Sequence, residues 1–130
     1  MIEILLVAEG EKSLSELAKR LETMGELAIH FADSGAKAQA MAKEKPYDLV
    51  VVDENLNDMT ALVFADKLVK INPMINCALV SALSKEDFHE VSEGLGVLFQ
   101  LPPNPGARDA DEMLRRLKEV LGMTAGVKKS

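Results

Sequence analysis

The chain has 130 residues, a length typical of one domain, and its 48% hydrophobic residues are enough to form a core. Its formal net charge of −6 at pH 7 argues against non-specific binding to nucleic acid or to an anionic membrane. No apolar run approaches the ~20 residues of a membrane span, and the single cysteine excludes a disulfide within the chain, so we expect a cytoplasmic protein.

Apolar runs alternate along the chain with segments that have helical spacing. In chain order these patterns predict strand 2–8, helix 14–24, strand 27–32, helix 35–45, strand 49–52, helix 61–71, strand 76–80, helix 85–93, strand 97–101 and helix 110–121. Ser34 and Thr60 are typical caps, while Ser13 with Glu16 forms a capping-box pattern that recurs at Asp109. This alternation predicts an α/β fold with right-handed crossovers and helices on both faces of a parallel sheet.

The third predicted strand ends at an acidic residue. Leu49–Val52 is an uninterrupted apolar run rich in β-branched residues, which is typical of a strand buried on both faces in the middle of a parallel sheet. Asp53 follows directly, and ligand sites of open α/β sheets lie beyond the carboxyl ends of the strands. From this stretch alone, Asp53 either reacts or binds a cation, or it merely caps a loop, and both interpretations stay open.

Two other residues of reactive or metal-binding types, a cysteine and a histidine, have simpler structural explanations. Cys77 lies in an apolar run with no basic neighbour, so we expect a buried core residue rather than a nucleophile. His30 could be a metal ligand or a switch, but a lone histidine near a sheet edge is more simply solvated. Neither residue therefore indicates a catalytic site.

The whole pattern resembles the receiver domain of two-component response regulators. The resemblance rests on four segments: residues 4–7, which open onto an acid, residues 46–53, residues 80–82, and the glycine–strand–proline run 94–102. It covers about residues 1–122 and implies a flavodoxin-like, CheY-like (βα)5 fold, a doubly wound five-stranded parallel sheet in the order 2-1-3-4-5. Residues 123–130 would then be a C-terminal tail or the start of a linker.

The resemblance implies phosphoryl transfer from a histidine kinase to Asp53. Ser81 matches the family's switch hydroxyl, which contacts the phosphoryl group. Glu9, Asp53 and Asn55 match positions that hold a divalent metal, usually Mg²⁺, which would neutralise phosphoryl oxygens. The resemblance implies no other cofactor, and no enzymatic activity beyond phosphorylation and dephosphorylation of Asp53.

Four positions depart from the family's pattern. Ala8 stands where a metal-binding acid is expected, and Leu101 stands where a lysine would contact the phosphoryl group. Losing a hydrogen bond to charge costs roughly 1.5–3 kcal/mol, or about ten- to a hundredfold in equilibrium. Ala61 replaces a glycine, and Leu98 replaces the aromatic residue that reports the switch. We therefore expect a degenerate acceptor site with weakened Mg²⁺ binding.

Two further acids follow Asp53 closely. Glu54 and Asp58 could each supply a spare carboxylate to the weakened metal site. They are more simply explained as solvated charges of the loop. The resemblance also implies a cis bond between Leu101 and Pro102, although most bonds before proline are trans.

The resemblance implies partners as well. A histidine kinase or phosphotransfer protein would act upstream, and a downstream protein or a linked effector domain would read the signal. A homodimer stays open, whereas direct binding to nucleic acid or membrane is not expected. The family contacts its partners through the fourth helix, fifth strand and fifth helix, where Leu98, Gln100 and Phe88 are the candidate contact residues.

Two alternatives to a phosphorylated receiver remain. Ala8, Leu101, Ala61 and Leu98 favour a pseudo-receiver that acts without phosphorylation as a protein-interaction or dimerisation module. A flavoprotein on the same fold would need a glycine-rich loop after the first strand, where backbone N–H groups meet phosphate. Residues 8–11 are instead acidic, and no G-x-G-x-x-G or G-x-x-x-x-G-K-[ST] motif occurs, so this alternative is disfavoured.

Overall fold

A computed structural model of the chain describes residues 1–10 and 12–122. These residues form β1 (Ile2–Val7), α1 (Ser15–Glu22), β2 (Leu27–Ala32), α2 (Gly35–Glu44), β3 (Leu49–Val52), α3 (Ala61–Ile71), β4 (Asn76–Val80), α4 (Lys85–Ser92), β5 (Val97–Leu101) and α5 (Ala107–Val120). The strands pair in parallel in the order β2-β1-β3-β4-β5, which confirms the predicted fold and strand order. The predicted tail, residues 123–130, lies outside the described residues.

The central strand β3 is buried on both faces. All of Leu49–Val52 is 0% exposed, with β1 on one side and β4 on the other. Val52 lies beside Val7 of β1 and beside Leu79 of β4. Because helices cover both faces, every side chain of β3 can be apolar, which explains why the run does not alternate.

Two apolar cores lie on opposite faces of the sheet. Strand β1 contributes to both, since Ile4 and Leu6 pack in the core under α1 and α5, while Leu5 packs in the other. Phe64 of α3, 0% exposed, is among the largest side chains in that second core, which α2, α3 and α4 cover. The sheet is therefore a fixed platform from which the loops after each strand project.

Three helix starts follow from short side chains that accept hydrogen bonds. Ser34, Thr60 and Ser84 each stand before a helix, and each hydroxyl oxygen accepts the backbone N–H three residues further on. The caps predicted at Ser34 and Thr60 are confirmed. These bonds set where α2, α3 and α4 begin, and so fix the lengths of the loops that precede them.

The two predicted capping boxes are wrong. Helix α1 begins at Ser15 without a side-chain cap, because the hydroxyl of Ser13 contacts another residue, Asp53. Helix α5 begins at Ala107, earlier than expected, and the Asp109 carboxylate accepts the backbone N–H of Gly106 at 2.8 Å. Asp109 therefore acts from inside the helix, although the sequence pattern indicated a residue in front of it.

A charged cluster lies near the amino end of β1. Glu3 Oε1 lies 2.8 Å from His30 Nε2 and accepts from Lys45 Nζ at 3.1 Å. The ring of Tyr47 packs edge-on against His30, with centroids 5.4 Å apart, and lies 5.5 Å from Lys45 Nζ. The bond from His30 and then that from Lys45 lower the pKa of Glu3. His30 is therefore a hydrogen-bond partner of Glu3, which corrects the expectation that it is simply solvated.

Cys77 is buried in β4, as expected. It is 1% exposed, and burial raises the pKa of its thiol to about 12, so the reactive thiolate is disfavoured.

Across residues 1–10 and 12–122, no helix combines the length and apolar character that crossing a membrane requires.

Candidate functional site

The loops after β1, β3 and β4 meet at one edge of the sheet, which we call the rim (residues 8–9, 53–55 and 81–82). The backbone N–H of Asp53 donates to the carbonyl of Val7 at 2.9 Å, which fixes the end of β3 against the end of β1. The N–H of Ser81 donates to the carbonyl of Leu101 at 3.0 Å, which joins β4 to β5. Asp53 and Ser81 therefore follow neighbouring strands at the same rim.

Asp53 is held by two neutral donors. Its Oδ2 accepts a hydrogen bond from Ser13 Oγ at 2.7 Å, and its Oδ1 accepts from the backbone N–H of Glu54 at 2.9 Å. Among the residues that the structure describes, no lysine, arginine or histidine forms an ion pair with Asp53. The half-buried carboxylate therefore keeps a fixed orientation while its negative charge is not neutralised by a cation.

Sequence reasoning missed Ser13 as a site residue. The pattern of Ser13 and Glu16 matched a capping box, and that match accounted for the serine locally. In the folded chain, Ser13 lies 40 residues from Asp53 in sequence and still contacts its carboxylate. A serine that satisfies a local pattern can therefore have a distant partner, and sequence alone offers no signal to separate the two.

The position expected to carry lysine is filled by a core residue. Leu101 is 0% exposed and packs in the core formed with α1 and α5. Its carbonyl accepts the N–H of Ser81, so its contribution to the rim is a backbone bond. The bond to Pro102 is trans, as are all described peptide bonds, which corrects the expected cis isomer.

The loop that follows β4 is fastened by side chains. Ser81 is 7% exposed, and its Oγ accepts the N–H of Leu83 at 3.2 Å. Gln100 Nε2 donates to the carbonyls of Leu83 at 2.9 Å and Ser81 at 3.4 Å. Glu54 Oε2 accepts the N–H of Ala82 at 3.2 Å. The predicted switch hydroxyl therefore lies in a loop that is bonded to both β5 and the loop after β3.

The residues predicted to bind metal offer few oxygens. Glu9 is exposed and forms no hydrogen bond or ion pair with another described residue, and Ala8 contributes no ligand. Asn55 is exposed and forms an isolated bridge with Thr60. Within the described ranges, no group of three or more His, Cys, Asp and Glu side chains is arranged to hold a metal ion.

This donor set fits a magnesium ion poorly. Mg²⁺ demands near-octahedral oxygen coordination, usually from one or two carboxylates together with waters and phosphate oxygens. Here Glu9 and Asp53 supply the only carboxylates among the predicted ligands, since Ala8 contributes none, and among the described residues they form no group arranged to hold a metal ion.

The two acids considered as spare ligands have other contacts. Asp58 accepts the N–H groups of Gly35 and Ala36, each at 2.9 Å, at the start of α2. These two backbone bonds lower the pKa of Asp58. Glu54 bonds to Ala82, as described above. The expectation that both are simply solvated loop charges is therefore wrong.

The predicted contact residues differ in how much surface they offer. Phe88 is 6% exposed and packs in the second core, so its ring contributes little to a partner surface and that prediction is corrected. Leu98 is half-buried against the first core. Gln100 is half-buried, and its amide nitrogen is bonded to the loop after β4. The more exposed apolar side chains near α4 are Leu83 at 41% and Val91 at 48%.

The fold and the rim together define a class of protein, and comparison with known families agrees. A family model described as "Response regulator receiver domain" matches residues 4–98, which is more than half of the chain. The chain belongs to the response regulator receiver domain family. No curated protein sequence matches it at a significant level.

Solved structures share the fold at low sequence identity. The chemotaxis response regulator CheY4 of Vibrio cholerae is 17% identical with a TM-score of 0.79, covering 90% of this chain and 98% of that one. A CheY-like receiver domain protein from Methanospirillum hungatei JF-1 is 20% identical with a TM-score of 0.78, covering 92% and 95%. A chain described as a putative pilus assembly protein (cpaE) from Burkholderia thailandensis E264 is 24% identical with a TM-score of 0.73, covering 92% and 99%.

Proposed function

We propose that this chain accepts a phosphoryl group on Asp53 from a histidine kinase or phosphotransfer protein in a two-component phosphorelay. The observation that carries the proposal is the place of Asp53, a half-buried carboxylate directly after the fully buried central strand. Ser81 follows the neighbouring strand at the same rim. The chain supplies the accepting carboxylate, and its chemistry goes no further than gaining and losing that group.

The transfer step balances without a further reactant. A carboxylate oxygen of Asp53 forms a bond to phosphorus while the bond from phosphorus to the donor's histidine nitrogen breaks. The electron pair of that bond stays with the imidazole, which takes up a proton from water. Because Ser13 and the Glu54 N–H already orient the carboxylate, the oxygens are positioned before the donor arrives.

The site favours slow phosphorylation. A hydrogen bond from a lysine to the phosphoryl group would contribute about 1.5–3 kcal/mol. Asp53 has neutral donors, and Leu101 fills the position where the family has lysine. Ala8 removes a further carboxylate, so a bound Mg²⁺ would be held weakly, by Glu9, Asp53 and Asn55.

The proposed signal passes from the rim to the surface of α4, β5 and α5. Gln100 of β5 is bonded to the carbonyls of Ser81 and Leu83, so a change in the Ser81 loop would break or re-form bonds to that strand. Leu98 lies on the same strand. A downstream protein, a linked effector domain or a second copy of the chain would read the change there.

Acetyl phosphate tests the proposal directly. Purified chain is incubated with acetyl phosphate, with and without Mg²⁺, and its mass is followed for the gain of one base-labile phosphoryl group. We expect a slow gain that maps to Asp53 and is lost in Asp53→Asn. Asp33→Asn, which changes an exposed acid, is the matched control. If neither acetyl phosphate nor a histidine kinase modifies Asp53, the proposal is wrong.

A second candidate function is a pseudo-receiver that binds or dimerises without phosphorylation. The buried Leu101 and the lack of a cation on Asp53 among the described residues favour it. The Burkholderia thailandensis protein of similar fold is described in terms of pilus assembly rather than signalling. This candidate predicts that sedimentation gives the same association constant for wild type and Asp53→Asn, with or without acetyl phosphate. A phosphorylation-dependent change in association contradicts it.

A further inference from the structure

Glu54 connects the two halves of the rim. Its backbone N–H donates to Asp53 Oδ1 at 2.9 Å, and its side-chain Oε2 accepts the N–H of Ala82 at 3.2 Å. Ala82 directly follows Ser81, so the bond reaches the loop that carries the predicted switch hydroxyl. A single residue therefore contacts both the proposed acceptor and the loop that would respond to it.

The Glu54 carboxylate occupies a donor that an incoming anion would need. A phosphoryl group carries negative oxygens, which backbone N–H groups stabilise when they point at the group. At this rim the N–H of Ala82 is aimed at a carboxylate from the chain itself. Glu54 is itself acidic and directly follows Asp53 in the chain, and no described lysine or arginine forms an ion pair with either.

We propose that Glu54 is an internal anionic ligand of the Ala82 N–H, and that its displacement limits how readily Asp53 takes a phosphoryl group. The inference rests on the proposed function of Asp53. Glu54 is a positioning residue: it leaves the Ala82 N–H when the phosphoryl oxygens arrive and returns when they depart. The resting site is thus closed by one of the chain's own side chains.

The bond is not needed to hold the Ser81 loop in place. Gln100 donates to the carbonyls of Leu83 and Ser81, and the Ser81 hydroxyl oxygen accepts the N–H of Leu83. None of these bonds involves the side chain of Glu54, so we expect them to remain when it is removed. A variant at this position can therefore keep the loop while exposing its N–H.

Two variants separate the charge of Glu54 from its hydrogen bond. Glu54→Gln removes the charge and keeps an oxygen that can accept the Ala82 N–H, whereas Glu54→Ala removes both. Glu86→Gln is the matched control. Glu86 is an exposed acid in the first turn of α4, and this substitution changes the net charge by the same amount as Glu54→Gln. Labelling of Asp53 by acetyl phosphate gives the rate, and the Ala82 amide signal in an NMR titration with beryllofluoride, with and without Mg²⁺, gives the affinity.

We expect Glu54→Ala to raise the labelling rate and the beryllofluoride affinity by about tenfold, the effect of removing one competing interaction of ordinary strength. Glu54→Gln should raise them less, and Glu86→Gln should stay within about twofold. Added salt should leave the gain in Glu54→Ala largely intact, because screening weakens general repulsion but does not refill a vacated donor.

The outcomes separate this inference from the proposed function. If wild type is labelled and Glu54→Ala is labelled at the same rate, Glu54 has no such role while the receiver function stands. An equal gain in Glu86→Gln also overturns the inference, since it indicates general electrostatics. If no variant is labelled or binds beryllofluoride, both ideas are wrong. Labelling of Glu54→Ala alone supports the inference about Glu54, and the proposed function then requires that a histidine kinase modify Asp53 in wild type. Should Glu54→Ala fail to fold, Glu54→Gln decides by the same criteria.

Discussion

Two carboxylates at opposite ends of the same sheet have opposite kinds of partner. Glu3 lies 2.8 Å from His30 and 3.1 Å from Lys45, both of which can carry positive charge. Asp53 accepts bonds of 2.7 and 2.9 Å from a hydroxyl and a backbone N–H, which are neutral. The distances are nearly the same, so the two carboxylates differ in the charge around them rather than in how firmly they are held.

This difference separates a structural carboxylate, Glu3, from the proposed phosphoryl acceptor, Asp53. The hydrogen bonds from His30 and Lys45 lower the pKa of Glu3, and the Lys45 ammonium balances its charge within the cluster. The neutral donors on Asp53 fix its orientation and do not neutralise its charge, as the proposed attack on phosphorus requires. The same lack of a cation makes the rim a poor host for the negative oxygens of a phosphoryl group.

The largest expected effect is the loss of labelling when the carboxylate at the rim, and not the one near the amino end of β1, is replaced by an amide. Asp53→Asn should abolish acetyl phosphate labelling, because the amide has no carboxylate oxygen to accept phosphorus. Glu3→Gln, the same substitution type in the cluster near the amino end of β1, should leave labelling unchanged. The two are compared by mass after equal incubation times. Equal losses in both variants would show that labelling follows overall stability rather than the chemistry of Asp53.

The second prediction concerns a lysine introduced at the rim, where Asp53 has no cationic partner like the Lys45 that bonds to Glu3. Leu101→Lys should raise labelling of Asp53 by about ten- to a hundredfold, the effect of a hydrogen bond from a charged group worth roughly 1.5–3 kcal/mol. Leu101 is 0% exposed, so the change should also lower the free energy of unfolding by about 1–3 kcal/mol, measured by urea denaturation.

Leu101→Met is the control for this substitution, because it nearly conserves volume and adds no charge. It should keep the slow labelling rate of wild type. A folded Leu101→Lys that is labelled no faster than Leu101→Met would show that the missing lysine is not what weakens the site.

The sequence predicted the features of the rim that follow from patterns along the chain, such as the strand that ends at Asp53. The buried run before Asp53 and the alternation of strands and helices predicted a parallel sheet with that strand in its middle, while the strand order was implied by the resemblance to receiver domains. That order brings Asp53 and Ser81 to one rim. A parallel sheet makes this prediction possible because the carboxyl ends of its strands all lie at the same edge. No comparable rule exists for side chains that meet across loops.

The contacts that were missed all join residues that are distant in the chain. Ser13 matched a local cap, and Glu54 and Gln100 had no pattern at all, yet each bonds to a residue 17 to 40 positions away. Phe88 was expected at the partner surface because the resemblance assigns that surface to the fourth helix, and the family pattern does not show that this ring packs into the second core. His30 and Glu3, 27 positions apart, form a pair that only strand register could reveal.

The third prediction removes the neutral partner of Asp53. Ser13→Ala should lower the free energy of unfolding by about 1.5–3 kcal/mol and slow labelling roughly two- to tenfold, because the carboxylate loses one bond that orients it. Ser15→Ala is the matched control, since the Ser15 hydroxyl bonds to the nearby carbonyl of Lys12 instead. Ser13→Thr should restore most of the rate. Equal effects of Ser13→Ala and Ser15→Ala would mean that the bond to Asp53 has no special role.

The smallest expected effect is a pH dependence at the cluster around Glu3. The pKa of Glu3 is lowered from 4.5 in the folded chain, first by the bond from His30 and then by that from Lys45. A lowered folded pKa means that the unfolded chain binds the proton more readily. The stability that Glu3 contributes is therefore present above pH 4.5 and is lost as pH falls through the folded pKa.

Glu3→Gln isolates this contribution, because glutamine does not titrate. The variant should be less stable than wild type at pH 7 and should lose less stability on acidification below pH 4.5, as measured by urea denaturation across that range. The pKa of Asp58 is lowered too, by its bonds to Gly35 and Ala36, so Asp58 also makes stability depend on pH in this range. Asp58→Asn removes that second contribution and is measured alongside Glu3→Gln to separate the two. If acidification destabilises Glu3→Gln as much as wild type, the ion pairs of Glu3 do not persist in solution. The contrast with Asp53 would then rest on the rim alone.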